Sequence, residues 1–173
     1  GVDLLLENPM LVEQAFTKFI DTPLARFRKE VEETDGMMIK AAAPIFDNDN
    51  NFLGVVYGGF LLNRNYEIVD KIKQTDYEDV IYQGQDIGTA TIFQYDVRIS
   101  TNVRNAGGTR AIGTRVSEDV FNYVILEGRR WVDRAYVVNN WYITAYEPIR
   151  NSRNSIIGIL YVGVLEQKYL DIQ

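Results

Sequence analysis

From residue 130 onward, the order of apolar and polar positions predicts three consecutive strands. Residues 130–138 are β-branched and aromatic and stop at Asn139 and Asn140, a turn pair. Residues 141–147 have the same character. Pro148, with no N–H to give to a ladder, marks the predicted end of that strand. The polar stretch 150–154 reads as a turn. Residues 156–165 then form a nearly continuous apolar run, the pattern of a central strand covered on both faces or of a short buried helix. Gly158, Gly163 and the β-branched content favour the strand.

Upstream, Leu11, Val12, Ala15, Phe16, Phe19 and Ile20 recur at helical spacing after Asn8 and Pro9, and Thr22-Pro23 ends the pattern. Residues 24–33 are highly charged and read as a strand or a short helix, broken by Gly36. Residues 37–45 are strand-like, 47–51 form a turn cluster, and 52–62 are the apolar partner strand. Tyr66, Ile68, Val69 and Ile72 predict a helix to about residue 74, capped by Asn63 or Asn65. A polar connection over 76–84 leads to a strand at 89–93, a turn at 94–96, a return strand at 97–101 and a loop at 102–108. Ser117, followed by acidic residues, predicts the N-cap of a helix over 118–126, and Gly128 stops it. The second half is thus strand, strand, helix and three strands. This is an α+β unit with an antiparallel five-stranded sheet and helical connections on one face.

Part of this pattern occurs twice. When Pro44 is set against Pro148, 104 residues on, Ile39 meets Ile143, Ala41 meets Ala145, and Ile45 meets Ile149 without a gap. Asn50 then meets Asn154, Gly54 meets Gly158, Tyr57 meets Tyr161, Gly59 meets Gly163 and Leu61 meets Leu165. The period is too long for a solenoid, whose repeats run ~20–50 residues. It fits two related units: a partial first one with an N-terminal helix over residues 1–75, and a second over residues 76–173. The hairpins 37–61 and 141–165 are expected to superpose.

Composition narrows the chemistry. A net charge of −6 over 173 residues disfavours nucleic acid as a partner. There is no cysteine, which removes disulfide and thiolate chemistry, and no histidine, which removes the usual general base and the commonest metal ligand. The acidic turn at 47–51 has the composition of a calcium loop but lacks its ordered acidic spacing. Gly54, Gly58 and Gly59 lack the lysine and hydroxyl of a phosphate loop. No enzyme activity, catalytic set, metal or cofactor is expected. No apolar run approaches the ~18–20 residues of a membrane span.

Several blocks resemble a known family. Residues 88–93, 96–103, 110–115, 142–148 and 158–166 look like the Cache superfamily, a PAS-like fold, and residues 41–44 and 57–66 resemble the first half of its fused Cache 3/Cache 2 type. The resemblance implies an extracytoplasmic, periplasmic sensor module, membrane-anchored in the full-length protein, of a histidine kinase, chemoreceptor or cyclase. It also implies a small organic acid as ligand and a homodimer as an expected assembly. A ligand-free structural or dimerisation module of the same fold is the competing expectation. The strand from Arg98 through Ser100 to Thr101 is similar to the anion-binding strand of citrate-type sensors, with Thr101 in place of a histidine, which implies a smaller acid.

Candidate ligand residues follow from residue type and alternation. The Arg98 fork suits a carboxylate, against the alternatives of a solvated face or an ion pair with Asp96 or Asp133. Arg134 and Tyr136 share a face of one strand, Tyr142, Thr144 and Tyr146 share a face of its neighbour, and all five are expected to converge with Arg98 and Thr101 on one pocket for a small anion. The alternative for the tyrosines is core packing. Arg115 is expected to pair with Glu118, and Trp131 and Trp141 to serve as packing residues on the opposite face.

Overall fold

The computed structural model describes residues 8–78 and 80–170. In chain order they form α1 (Pro9–Ala15), β1 (Thr17–Lys18), β2 (Glu32–Glu33), β3 (Met38–Phe46), β4 (Phe52–Leu61), α2 (Glu67–Tyr77), β5 (Ile81–Tyr82), β6 (Gln85–Asp86), β7 (Gly88–Gln94) and β8 (Val97–Thr101). Then come α3 (Glu118–Phe121), continued by a π-helical turn over Asn122–Leu126, β9 (Trp131–Val137), β10 (Asn140–Arg150), β11 (Ile156–Leu165) and α4 (Gln167–Leu170).

The expected five-stranded antiparallel sheet is present, in the order β8-β7-β11-β10-β9. β11, the apolar run, is its central strand. Each face carries a core. On one, Phe93, Tyr142, Tyr146, Ile159 and Tyr161 meet Val120 and Val124 of the α3–π segment. On the other, Ala90, Ile92 and Ile99 meet Val69 of α2, with Tyr66, Ile68 and Ile72 packed around them. Burial of side chains on both faces explains why β11 reads as an apolar run and not as an alternating strand. The helix α2, which falls within the expected first unit of residues 1–75, lies against this sheet.

Tyr161 is the keystone of the first core. It is fully buried, its ring centroid is 4.8 Å from that of Tyr146, and its hydroxyl is 2.8 Å from Thr89 Oγ1. Its ring folds over Gly163, where a Cβ would strike the hydroxyl and ring carbons.

Several boundaries differ from the sequence reading. The N-terminal helix stops at Ala15 and does not reach Ile20, because outside donors take its last carbonyls. Arg64 Nη1 donates to Gln14 O at 2.8 Å and to Phe16 O at 2.5 Å, and Asn63 Nδ2 donates to Ala15 O at 3.1 Å. The chain after it pairs β1 with β2. β10 runs through Pro148 to Arg150. Its pairing with β9 ends at Tyr146↔Trp131, so Pro148 lies on an open edge where no donor is needed. Helix α2 extends to Tyr77, and the 76–84 connection contains the small β5–β6 hairpin. The helix at 118–126 forms as expected, with Ser117 accepting from Val120 N, but its second half is π-helical.

The duplication is reproduced in geometry. In β3–β4, Met38 opposes Leu61 and Ile45 opposes Gly54; in β10–β11, Tyr142 opposes Leu165 and Ile149 opposes Gly158. The register slips at equivalent steps, between Ile45 and Phe46 and between Ile149 and Arg150. The turns agree too: Asn50 N donates to Asp47 O and Asn154 N to Asn151 O, and the left-handed Asn50 and Asn154 have φ of 65° and 63°. Side-chain caps repeat as well, with Asp49 N on Asp47 Oδ1 and Arg153 N on Asn151 Oδ1, both at 2.9 Å.

A substitution tests the keystone. Gly163→Ala is expected to displace the Tyr161 ring and break its bond to Thr89, costing ~1–3 kcal/mol by overpacking and lowering the melting temperature by several degrees, read by calorimetry. An unchanged melting temperature would show that Tyr161 has room the geometry denies it.

Candidate functional site

Arg98 sits where alternation alone would not bring it beside Thr101, since residues three apart on a strand face opposite ways. A register shift between Ile92 and Phe93 removes the conflict: Phe93 opposes Arg98, and Thr91 opposes Thr101. Both side chains therefore reach the tyrosine-bearing face. Ile99 and Ser100 turn to the α2 side, where Ser100 Oγ donates to Asn65 O at 2.6 Å. Ser100, part of the resembling anion-binding pattern, is thus directed away from the Arg98 side.

The Arg98 guanidinium is buried, with 3% of the residue exposed, and stacks on Phe93 at 4.9 Å from the ring centroid. Its partners are hydroxyls. Nε donates to Thr91 Oγ1 at 3.3 Å and Nη1 donates to Thr114 Oγ1. Each hydroxyl passes its own proton onward. Thr114 donates to Ala111 O at 2.7 Å, and Thr101, 2.6 Å from Thr91, donates to Ala90 O at 3.2 Å. This order leaves the threonine lone pairs facing the guanidinium. Among the described residues no carboxylate forms an ion pair with Arg98. Burial lowers its pKa below the ordinary arginine value, opposed by the neighbouring Tyr146, Tyr161 and Tyr142. A buried charge without a counter-charge is costly, so an anion entering here would be strongly favoured.

The acid that sequence proximity offered is committed elsewhere. Asp96, fully buried at the β7–β8 turn, accepts from Arg28 Nη1 at 2.9 Å and from Arg115 Nη2 and Nε at 2.5 and 3.1 Å. Arg26 Nε lies 3.4 Å away, buried and without a hydrogen bond. Arg115 therefore does not pair with Glu118 as expected. These contacts hold residues 20–28 as a strap across the sheet. Ile20 N donates to Gly113 O, Arg115 N to Thr22 Oγ1, and Glu118 N to Leu24 O.

Under the strap lies an enclosed cavity of about 20 Å³, bounded by Arg98, Arg115, Tyr146, Tyr136, Val138 and Thr22. Val138 takes φ of 58°, a left-handed conformation that β-branched residues rarely adopt. A second cavity of about 350 Å³ opens at the other end of the same sheet face, between Thr89, Tyr142, Asn140 and the 102–108 loop.

The structure thus gathers Arg98, Thr101, Tyr142, Thr144 and Tyr146 on one face, although Thr144 Oγ1 is committed to Asp133 O at 2.6 Å. Arg134 and Tyr136 are corrected. They oppose Ile143 and Trp141 on the outer face, because Ala135 and Val137 are the β9 residues that point to the core. Arg134 stacks on Trp141 at 4.3 Å and pairs with Glu166 at 2.8 Å. Tyr136, 40% exposed, packs edge-on against Trp141 and also borders the cavity. Trp141 is on the outer face as expected, whereas Trp131, opposite Tyr146 and on the side of Ala135 and Val137, lies on the core face, where it packs against Tyr123. Sequence reasoning missed Thr91, Thr114 and Phe93, which hold Arg98, and Tyr161. The threonines carried no signal beyond their residue type, and Tyr161 lay hidden in an apolar run.

A family model described as single Cache domain 3 matches residues 60–173. No curated protein matches the chain. Among the described residues no helix is long and apolar enough to cross a membrane.

Burial also raises the Tyr142 hydroxyl from 10.0 to about 12, with Asp86 adding to the shift and Arg98 opposing it. The folded state keeps this proton where the unfolded chain gives it up. The resulting stability is complete below pH 10 and is lost as pH climbs through about 12. Alkaline absorbance titration is expected to show a late-ionising tyrosine that disappears in Tyr142→Phe. If the variant instead loses its amplitude near pH 10, Tyr142 ionises with the ordinary tyrosines.

Proposed function

The chain belongs to the single Cache domain 3 family, sensor domains of signalling receptors that are typically extracytoplasmic, and on that premise we propose that it senses a small carboxylate bound at Arg98. The observation that carries this reading is a buried guanidinium with hydroxyl dipoles around it and, among the described residues, no acid beside it. A carboxylate in the cavity would meet the Arg98 fork, with Tyr146 as the neighbouring hydroxyl. Thr101 acts behind Thr91, Tyr142 borders the second cavity, and Thr144 orders β9 against β10. Neither Arg134 nor Tyr136 is assigned a charge-pairing role.

A volume of about 20 Å³ is that of a single water site. Binding therefore requires the strap at residues 22–24 or the Val138 turn to yield, and only a short acid fits without wider rearrangement. The same requirement supplies a signalling mechanism. A ligand that binds the open arrangement better shifts the population toward it, and the strap transmits the shift to α1. In the parent receptor this output would reach a histidine kinase, chemoreceptor or cyclase module across the membrane. The small size of the cavity also favours a second reading, a ligand-free structural or dimerisation module.

Calorimetric titration with formate, acetate, propionate and short dicarboxylates separates the two readings. At least one acid is expected to bind and to raise the melting temperature by mass action. Arg98→Ala should weaken binding ~10–100-fold, the equivalent of ~1.5–3 kcal/mol for a charge-assisted bond. Because Arg98→Ala empties a buried site, Tyr146→Phe is measured alongside it and is expected to weaken binding more mildly while remaining folded. No binding by any acid defeats the carboxylate reading. Binding that survives both substitutions places the anion elsewhere.

A further inference from the structure

A groove of about 940 Å³ lies between residues 26–30, residues 33–38 and the β7–β8 turn, a volume in the range of small-molecule sites. None of its lining residues borders the Arg98 cavity. Hydrogen bonds hold its frame. Asn63, fully buried, accepts from Met37 N at 2.9 Å and donates to Gln94 Oε1 at 3.3 Å, and Gln94 Nε2 donates to Asp35 O at 3.1 Å. Tyr95 N donates to Ile157 O at 2.9 Å, which fixes the turn. A groove framed in this way is largely preformed, so a ligand entering it has little chain to order.

The apolar lining is soft and partly uncovered. Phe27 is 85% exposed and Tyr95 is 47% exposed. Tyr95 also holds a left-handed φ of 54°, uncommon for a bulky side chain. Met37 is buried, and Met38 and Ile157 are half-buried. Thioether sulfur and aromatic faces are polarisable surfaces that suit a flat aromatic body.

The same groove is locally cationic in an acidic chain. Arg26, Arg28, Lys29 and Lys40 line it against Glu30, Glu33 and Asp35, while the whole chain carries −6. Glu30 is paired with Arg28, and Glu33 Oε1 accepts from Thr34 N and Asp35 N. Lys29 and Lys40 are exposed, and among the described residues neither forms an ion pair. Arg26 Nε is buried without a hydrogen bond, beside an Asp96 that Arg28 and Arg115 already share. A neutral ring system would leave these cations unanswered, and a short acid would leave the apolar lining bare.

We propose that the groove binds an aromatic monoanion, about two or three rings bearing one acid group. The rings lie against Phe27, Tyr95 and the methionines, and the acid meets Lys29 and Lys40. This site is additional to the one at Arg98 and selects a different acid, one with a large apolar body.

Calorimetric titration of the 173-residue chain with naphthoate tests it. One saturable site is expected, with the uncharged naphthamide binding about tenfold more weakly. Lys29→Glu combined with Lys40→Glu should weaken naphthoate about fivefold or more, with the larger effect at low salt. Phe27→Ala should weaken it about threefold or more. All three positions are exposed, so these variants are expected to melt like the parent chain. Tyr57→Asp, on the exposed hairpin outside the groove, and Tyr146→Phe, in the Arg98 cavity, should leave naphthoate binding unchanged. Absence of saturable binding overturns the proposal, as does equal affinity for the acid and the amide. Affinity untouched by the groove substitutions, or lost in Tyr57→Asp or Tyr146→Phe, places naphthoate elsewhere and overturns it too. Short acids at Arg98 are judged by their own titration, so either site can fail without the other.

Discussion

One buried carboxylate organises the region around the candidate site. Asp96 gathers Arg26, Arg28 and Arg115 at the turn between β7 and β8, and so ties the strap before β2 to the sheet and to the segment that leads into α3. Aromatic rings complete the arrangement: Arg26 lies 4.1 Å over Phe121 and Arg28 4.7 Å over Phe19. Removing one partner from such a cluster leaves like charges facing one another in low dielectric, so its members hold position together or not at all. By committing Asp96, the cluster also leaves the guanidinium two residues later without an acid. The isolation of Arg98 and the placement of the strap are two results of the same contact.

The sheet was legible because its elements announce themselves locally. The β7–β8 pair has a clear turn, β9 ends at two asparagines, and in β11 glycine and β-branched residues favoured a central strand over a buried helix. The elements that sequence misjudged are those decided by distant groups. The end of α1 depends on Arg64 and Asn63, some 50 residues away, and the continuation of β10 through Pro148 depends on where β9 stops. Neither dependence leaves a mark in the local pattern. The duplicated hairpin was the opposite case: identities at fixed offset carried the register, the bulge and the left-handed asparagine.

At the site, residue type was a better guide than alternation. Arg98 and Thr101 belong together only because of a bulge that no sequence pattern displayed. Tyr142, Thr144 and Tyr146 share a face because β10 is regular along that stretch. Arg134 and Tyr136 also share a face with each other, as alternation requires, but alternation does not say which face is inside. Ala135 and Val137 decide that, being small or apolar where the core is crowded. The hydroxyls that hold Arg98 come from β7 and from the loop before α3, two elements whose approach depends on the Asp96 cluster.

The chain has no histidine and no cysteine, and the charge facing the Arg98 cavity is guanidinium. Guanidinium stays cationic across the ordinary range of acidity, and it takes no part in thiol-type redox chemistry. No side chain of the protein has an ordinary pKa between about 5 and 8. The cavity therefore presents the same positive charge whether its surroundings are mildly acidic or alkaline, oxidising or reducing. A receptor domain built this way would respond to concentration alone, with any acidity dependence supplied by the chemistry of the ligand.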